Sequence, residues 1–100
     1  MKYLVTAAPR GNFPPGGAVP ILKAGKEWIG AGLKSKRIES FYGFAEGGGT
    51  GVVNADSHDD LMKQLRENPL FPFTETTVRP LVDINQSLDS AIQMFQKMAK

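Results

Sequence analysis

Residues 57–81, SHDDLMKQLRENPLFPFTETTVRPL, decide the fold. Ser57 is a good helix N-cap, and Asp59 and Asp60 suit the positive end of the helix that follows. Leu61, Met62 and Leu65 supply that helix with one apolar face, and Asn68-Pro69 ends it. A strand is expected at once, over 71–81, with Pro72 and Pro80 near its ends as an edge strand tolerates. A capped helix dropping straight into an aromatic strand reads as the last step of an alternating order.

Working outward, residues 3–8 are β-rich and short, a strand that ends at Pro9. Residues 9–17, PRGNFPPGG, form a loop with little tendency to helix or strand. If this loop closes over a ligand, Phe13 is its apolar contact. A helix is expected over 18–34, with Pro20 in its first turn and Leu22, Ile29 and Leu33 at helical spacing. Gly25, Gly30 and Gly32 each weaken it by about 1 kcal/mol relative to alanine. Close approach of a neighbour to that face, by sheet packing or a ligand, accounts for them. Residues 36–45 read as a second strand, Gly47-Gly48-Gly49 as a turn, and 50–55 as the returning strand. Ser87 is expected to cap a C-terminal helix with the apolar stripe Leu88, Ala91, Ile92, Phe95 and Met98.

The order βαββαβ plus a terminal helix predicts an α+β, ferredoxin-like fold, with residues 1–100 as a single domain. A sheet with one wet face alternates strictly between apolar and polar residues. Here Tyr3 with Leu4, Phe41 with Tyr42, Val52 with Val53, and Phe71 with Phe73 put apolar groups toward both faces or at strand ends. The second face therefore needs cover. A symmetric partner is the economical answer, giving a homodimer, or a multiple of it, as a dimeric α+β barrel. The terminal helix is the competing cover.

Composition narrows the function. With 41% hydrophobic and 22% charged residues, the chain reads as a soluble globule. Its net charge of +2 and one basic cluster, Lys34, Lys36 and Arg37, fit a solvated helix end. No aromatics interleave with that cluster, so nucleic acid is not an expected partner. Zero cysteines exclude disulfides, thiolate catalysis and cysteine-ligated metals. The opening MKYLVTAA is too short for a signal peptide, and no stretch approaches the roughly 20 apolar residues of a membrane span. A cytoplasmic location follows as an expectation. EGGGTG lacks the lysine of a phosphate loop, and the lone His58 beside a helix cap suits neither a metal site nor a serine triad.

The segment 22–81 resembles the muconolactone isomerase family. The likeness lies in LKA at 22–24, the hairpin length, the SHDDL helix start, and PLFPF at 69–73 followed by Val78 and Leu81. It implies a small, cofactor-free, homo-oligomeric barrel enzyme. The named enzyme moves a proton on an unsaturated lactone, in the catabolism of aromatic compounds. The long PRGNFPPGG loop, the triple-glycine hairpin and the added helix depart from that pattern. So do Arg37, Glu39 and Tyr42, where the family has a different set of Trp, His and Arg residues.

Proton transfer is the remaining chemistry. Glu75, Thr77 and Arg79 share one face of the last strand, and Glu39 lies on the second. A glutamate in a partly apolar barrel suits the role of general base, because desolvation favours its protonated form and so raises its pKa toward neutrality. Tyr42 or Arg79 is the expected donor to an enolate oxygen, while Trp28, Phe13, Arg37 and Phe73 are candidate substrate contacts. An edge-strand pair of Glu75 with Arg79, and core roles for Tyr42 and Trp28, explain the same residues. Two other readings stay open: a non-catalytic binding or assembly module, and a cofactor-independent monooxygenase or cyclase.

Overall fold

Period-two alternation in the strands and 3.6-residue periodicity in two helices converge on one apolar layer. A computed structural model describes residues 1–99. In order come β1 Lys2–Pro9, α1 Ala18–Lys34, β2 Ile38–Gly43, β3 Gly49–Asn54, α2 His58–Arg66, a 3-10 turn Phe71–Phe73, β4 Thr74–Leu81 and α3 Ile84–Met98. The four strands form one antiparallel sheet in the order β2-β3-β1-β4. This is the expected α+β, ferredoxin-like arrangement with a helix added at its end.

The core lies on one side of the sheet. Tyr3 and Val5 of β1, Ile38 of β2 and Val53 of β3 meet Leu61 and Leu65 of α2, with Trp28 of α1 packed against them. Leu61 is 0% exposed. The Ser57 hydroxyl accepts from the Asp60 amide at 3.0 Å, as the cap predicted. The opposite face holds Leu4, Thr6, Tyr42, Thr50, Val52, Glu75, Thr77 and Arg79, and among the described residues no helix packs across it, only the start of the last helix reaching the corner at Lys2, Glu39 and Val52.

Four local expectations are corrected. The last strand begins at Thr74, because Pro69 and Pro72 cannot donate ladder bonds. The chain there coils instead, with Phe71 N donating to Asn68 O and Phe73 N to Leu70 O. The second strand begins at Ile38, after a turn in which Lys36 is left-handed at φ 68°. The last helix is capped by Asp83, whose carboxylate accepts from Gln86 N at 3.0 Å, so Ser87 lies inside its first turn. The inner face of α1 is centred on Gly25, Trp28, Ile29 and Gly32, while Leu22 and Leu33 are exposed. A Cβ on Gly32 would stand 2.5 Å from Ile38 Cδ1, and one on Gly25 would overlap Leu70. Those two glycines let α1 sit close to its neighbours, whereas Gly30 faces open space.

The terminal helix does not cover the open face. Every residue of α3 is exposed except the half-buried Ala91, and the chain measures 66 × 27 × 24 Å. Its radius of gyration of 17.3 Å exceeds the roughly 13 Å of a compact chain of this length. No helix among the described residues is long and apolar enough to cross a membrane.

Candidate functional site

The sequence-predicted site residues fall into three places. Glu39, Tyr42, Glu75 and Arg79 lie on or at the rim of the open face. Trp28 and Arg37 belong to the helix side, and Phe13 pairs with Phe73 at a strand end.

On the open face the register lines up cross-strand rows. Tyr42, Thr50, Thr6 and Thr77 form one row across all four strands, and Ser40, Val52, Leu4 and Arg79 form the next. The Thr6 and Thr50 hydroxyls are 3.1 Å apart. Glu75 follows Thr77 along β4, opposite Ala8. Glu75, Thr77 and Arg79 therefore share this face, as their spacing predicted. Tyr42 sits on the other edge strand, about 14 Å away at the usual strand spacing, and is 73% exposed. Glu39 occupies the irregularity of β2, where its carboxylate pairs with Lys2 and accepts from Asn54 Nδ2 at 3.4 Å. The two glutamates stand at opposite corners of the sheet, on the order of 20 Å apart. Within one chain they cannot serve one small substrate.

On the helix side a cleft runs between β1, β2, β4 and α1. An inner cavity of about 20 Å³, water-sized, and an outer one of about 210 Å³ share Ala7, Phe41, Asn68 and Thr74 as walls. The Phe41 ring lies over Gly49 and Gly51 of β3, where a Cβ on either would strike it. Trp28 lines the inner cavity, and its Nε1–H is buried without a partner. Leaving such a donor unmet costs about 1–3 kcal/mol, so an incoming oxygen has something to gain there. The Arg37 guanidinium lies over the Trp28 ring, 4.9 Å from its centroid.

Polar groups in the cleft are few. Thr74 donates its one hydroxyl proton to Phe71 O at 3.2 Å, so Thr76, 3.2 Å from Thr74, must donate to it. Both hydroxyls then present lone pairs. Asn68 Oδ1 accepts from Leu70 N at 3.0 Å, which leaves its NH₂ as the second donor. The cleft thus offers two donors in an apolar wall, a combination that suits a carbonyl oxygen, and no carboxylate or histidine lines it. Asn68, Thr74 and Thr76 were not singled out from the sequence. Alternation carried the signal for the two threonines, since a face holding Glu75 and Thr77 forces Thr74 and Thr76 to the other.

Phe13 and Phe73 contact each other, with ring centroids 4.9 Å apart, and Arg10 N donates to Phe73 O at 2.8 Å. These contacts tie the 9–17 loop to the start of β4. Neither ring lines the cleft. His58 is exposed, 6.1 Å from Tyr3 between ring centroids.

No family model matches this chain, and no curated protein matches it. Among solved structures the chain is similar to a crystal structure of muconolactone isomerase, with a TM-score of 0.71 and 21% identity. The likeness covers 83% of this chain and 90% of that one. At this identity it carries the architecture and leaves the reaction open. The resemblance read from the SHDDL helix start and the PLFPF segment is borne out at the level of fold. The chain has a muconolactone isomerase-like fold.

Proposed function

We propose that this protein is a small, cofactor-free, isomerase-like enzyme that shifts a proton on a small unsaturated lactone or carbonyl compound. The observation that carries this reading is the line of Glu75, Thr77 and Arg79 on the open sheet face, beside the Thr6–Thr50 hydroxyl row and the apolar Leu4 and Val52. In a single chain this face is open to water. A homodimer that lays two such faces together gives a closed barrel, and its interior removes solvent from the carboxylate. Glu75 then takes a proton from the carbon next to the carbonyl. Arg79 stabilises the enolate oxygen as charge develops, and the proton returns to the far carbon of the conjugated system. Bonds balance without an oxidant or a second substrate. Glu39, held by Lys2, is the alternative base, and Tyr42 the alternative donor.

The test is exchange of lactone or enone protons in buffered heavy water, followed by NMR. Glu75→Gln is expected to lower the rate about 10²–10⁴-fold with folding intact. Exchange that survives both Glu75→Gln and Glu39→Gln removes these glutamates from the mechanism.

The helix-side cleft supports a second reading, a non-catalytic binding module for a small carbonyl compound. Its specific support is the unpartnered Trp28 Nε1–H in a cavity without a base. On that reading no lactone or enone exchanges, while a bound ligand quenches Trp28 fluorescence and Asn68→Ala weakens its binding.

A further inference from the structure

The exposed helix α3 is the feature that neither reading uses. It spans 15 residues, about 22 Å at 1.5 Å per residue. A helix of that length is marginal in water without tertiary contacts. Yet Ile84, Leu88, Ile92, Phe95 and Met98 are 65%, 52%, 53%, 63% and 70% exposed. Together they present roughly 500–600 Å² of apolar surface, at the upper end of the largest patch that monomers leave open.

The pattern identifies the occupant. Ile84, Leu88, Ala91, Phe95 and Met98 follow the 4-3-4-3 spacing of a helix–helix seam, with Ile92 and Met94 flanking it. We propose that α3 docks on α3 of a second copy of this chain, antiparallel, about a two-fold axis near residue 93. Size complementarity sets that direction. An antiparallel register about residue 93 places Phe95 against the partner's Ala91 and Leu88 against the partner's Met98. A parallel, in-register pair stacks Phe95 on Phe95 and leaves a gap between two alanines. Charge agrees: in that register Asp89 comes opposite the partner's Lys97, which lies in the last turn of the helix. Antiparallel packing brings unlike ends together and also opposes the helix dipoles. Of the stripe, Ile84 also borders the corner of the open sheet face at Lys2, Glu39 and Val52.

The chain has no cysteine, so an introduced one reports without background. Full-length Ala91→Cys and Phe95→Cys chains are mixed under mild oxidation and the cross-links mapped by mass spectrometry. The expected product is the mixed 91–95 disulfide. Formation of 91–91 links instead overturns the antiparallel direction. A Phe95→Cys chain that links to Tyr42→Cys in preference to Ala91→Cys assigns α3 to the partner's sheet and overturns the occupant. Independently, Phe95→Lys is expected to weaken self-association by about tenfold or more, because it places a charge in the seam. Its unfolding curve should match the parent's at concentrations where both are dissociated. Self-association unchanged by Phe95→Lys in a folded chain overturns the proposal.

Discussion

Helices α2 and α3 look alike in sequence and end in opposite situations. Each opens on a side-chain cap, Ser57 for α2 and Asp83 for α3, and each carries an apolar stripe at helical spacing. α2 buries Leu61 and Leu65 completely against Tyr3, Val5 and Val53, whereas α3 buries nothing. An amphipathic stripe therefore marks a face that burial would favour and is silent about whether the fold covers it. The connection decides. α2 is followed by the 3-10 turn that returns the chain into β4, so it is clamped between two strands of one sheet. α3 follows β4, and none of its residues joins the core cluster beneath the sheet.

Three substitutions test how far the contrast extends, taken from the largest expected effect. Leu61→Ala removes a fully buried side chain and should destabilise the chain by about 2–5 kcal/mol in urea unfolding. Leu88→Ala in α3 should leave the unfolding of the dissociated chain within error. An equal loss at both positions would show that α3 packs on the body. Next come the caps. Ser57→Ala should lower stability by about 1 kcal/mol. Asp83→Ala should lower only the helical circular-dichroism signal, without moving the unfolding midpoint. The smallest effect concerns the glycines of α1. Gly30→Ala meets no atom within 4 Å and should stabilise by up to about 1 kcal/mol. Gly32→Ala must displace Ile38 and should destabilise despite the same gain in helix propensity. Thermal melts of the two variants moving in the same direction would remove the close-packing account of Gly32.

Much of the candidate site was legible in part. Alternation along TETTVR placed Glu75, Thr77 and Arg79 on one face correctly. It could not say that Tyr42 lies across three strand spacings from them, because strand order is set by the two helical crossovers. Trp28 was legible as a residue beside a glycine-rich helix face. That its indole N–H has no partner depends on which atoms β2 and β4 bring to it. Phe13 was read as a contact for a ligand, and the structure sets it on Phe73, a pairing between residues 60 positions apart.

By itself the sequence determined the element order, the Ser57 cap of α2 and the common face of Glu75, Thr77 and Arg79. These rest on local chemistry: periodicity, proline geometry and hydrogen-bonding side chains act within a few residues. The tertiary structure decided what no local rule reaches. It separated Glu39 from Glu75, replaced three residues of the expected last strand by a turn, and turned the α1 face onto its glycines. It also left α3 and one sheet face bare. In each case the outcome depends on distant backbone competing for the same apolar surface, and that competition is settled by packing, not by sequence spacing.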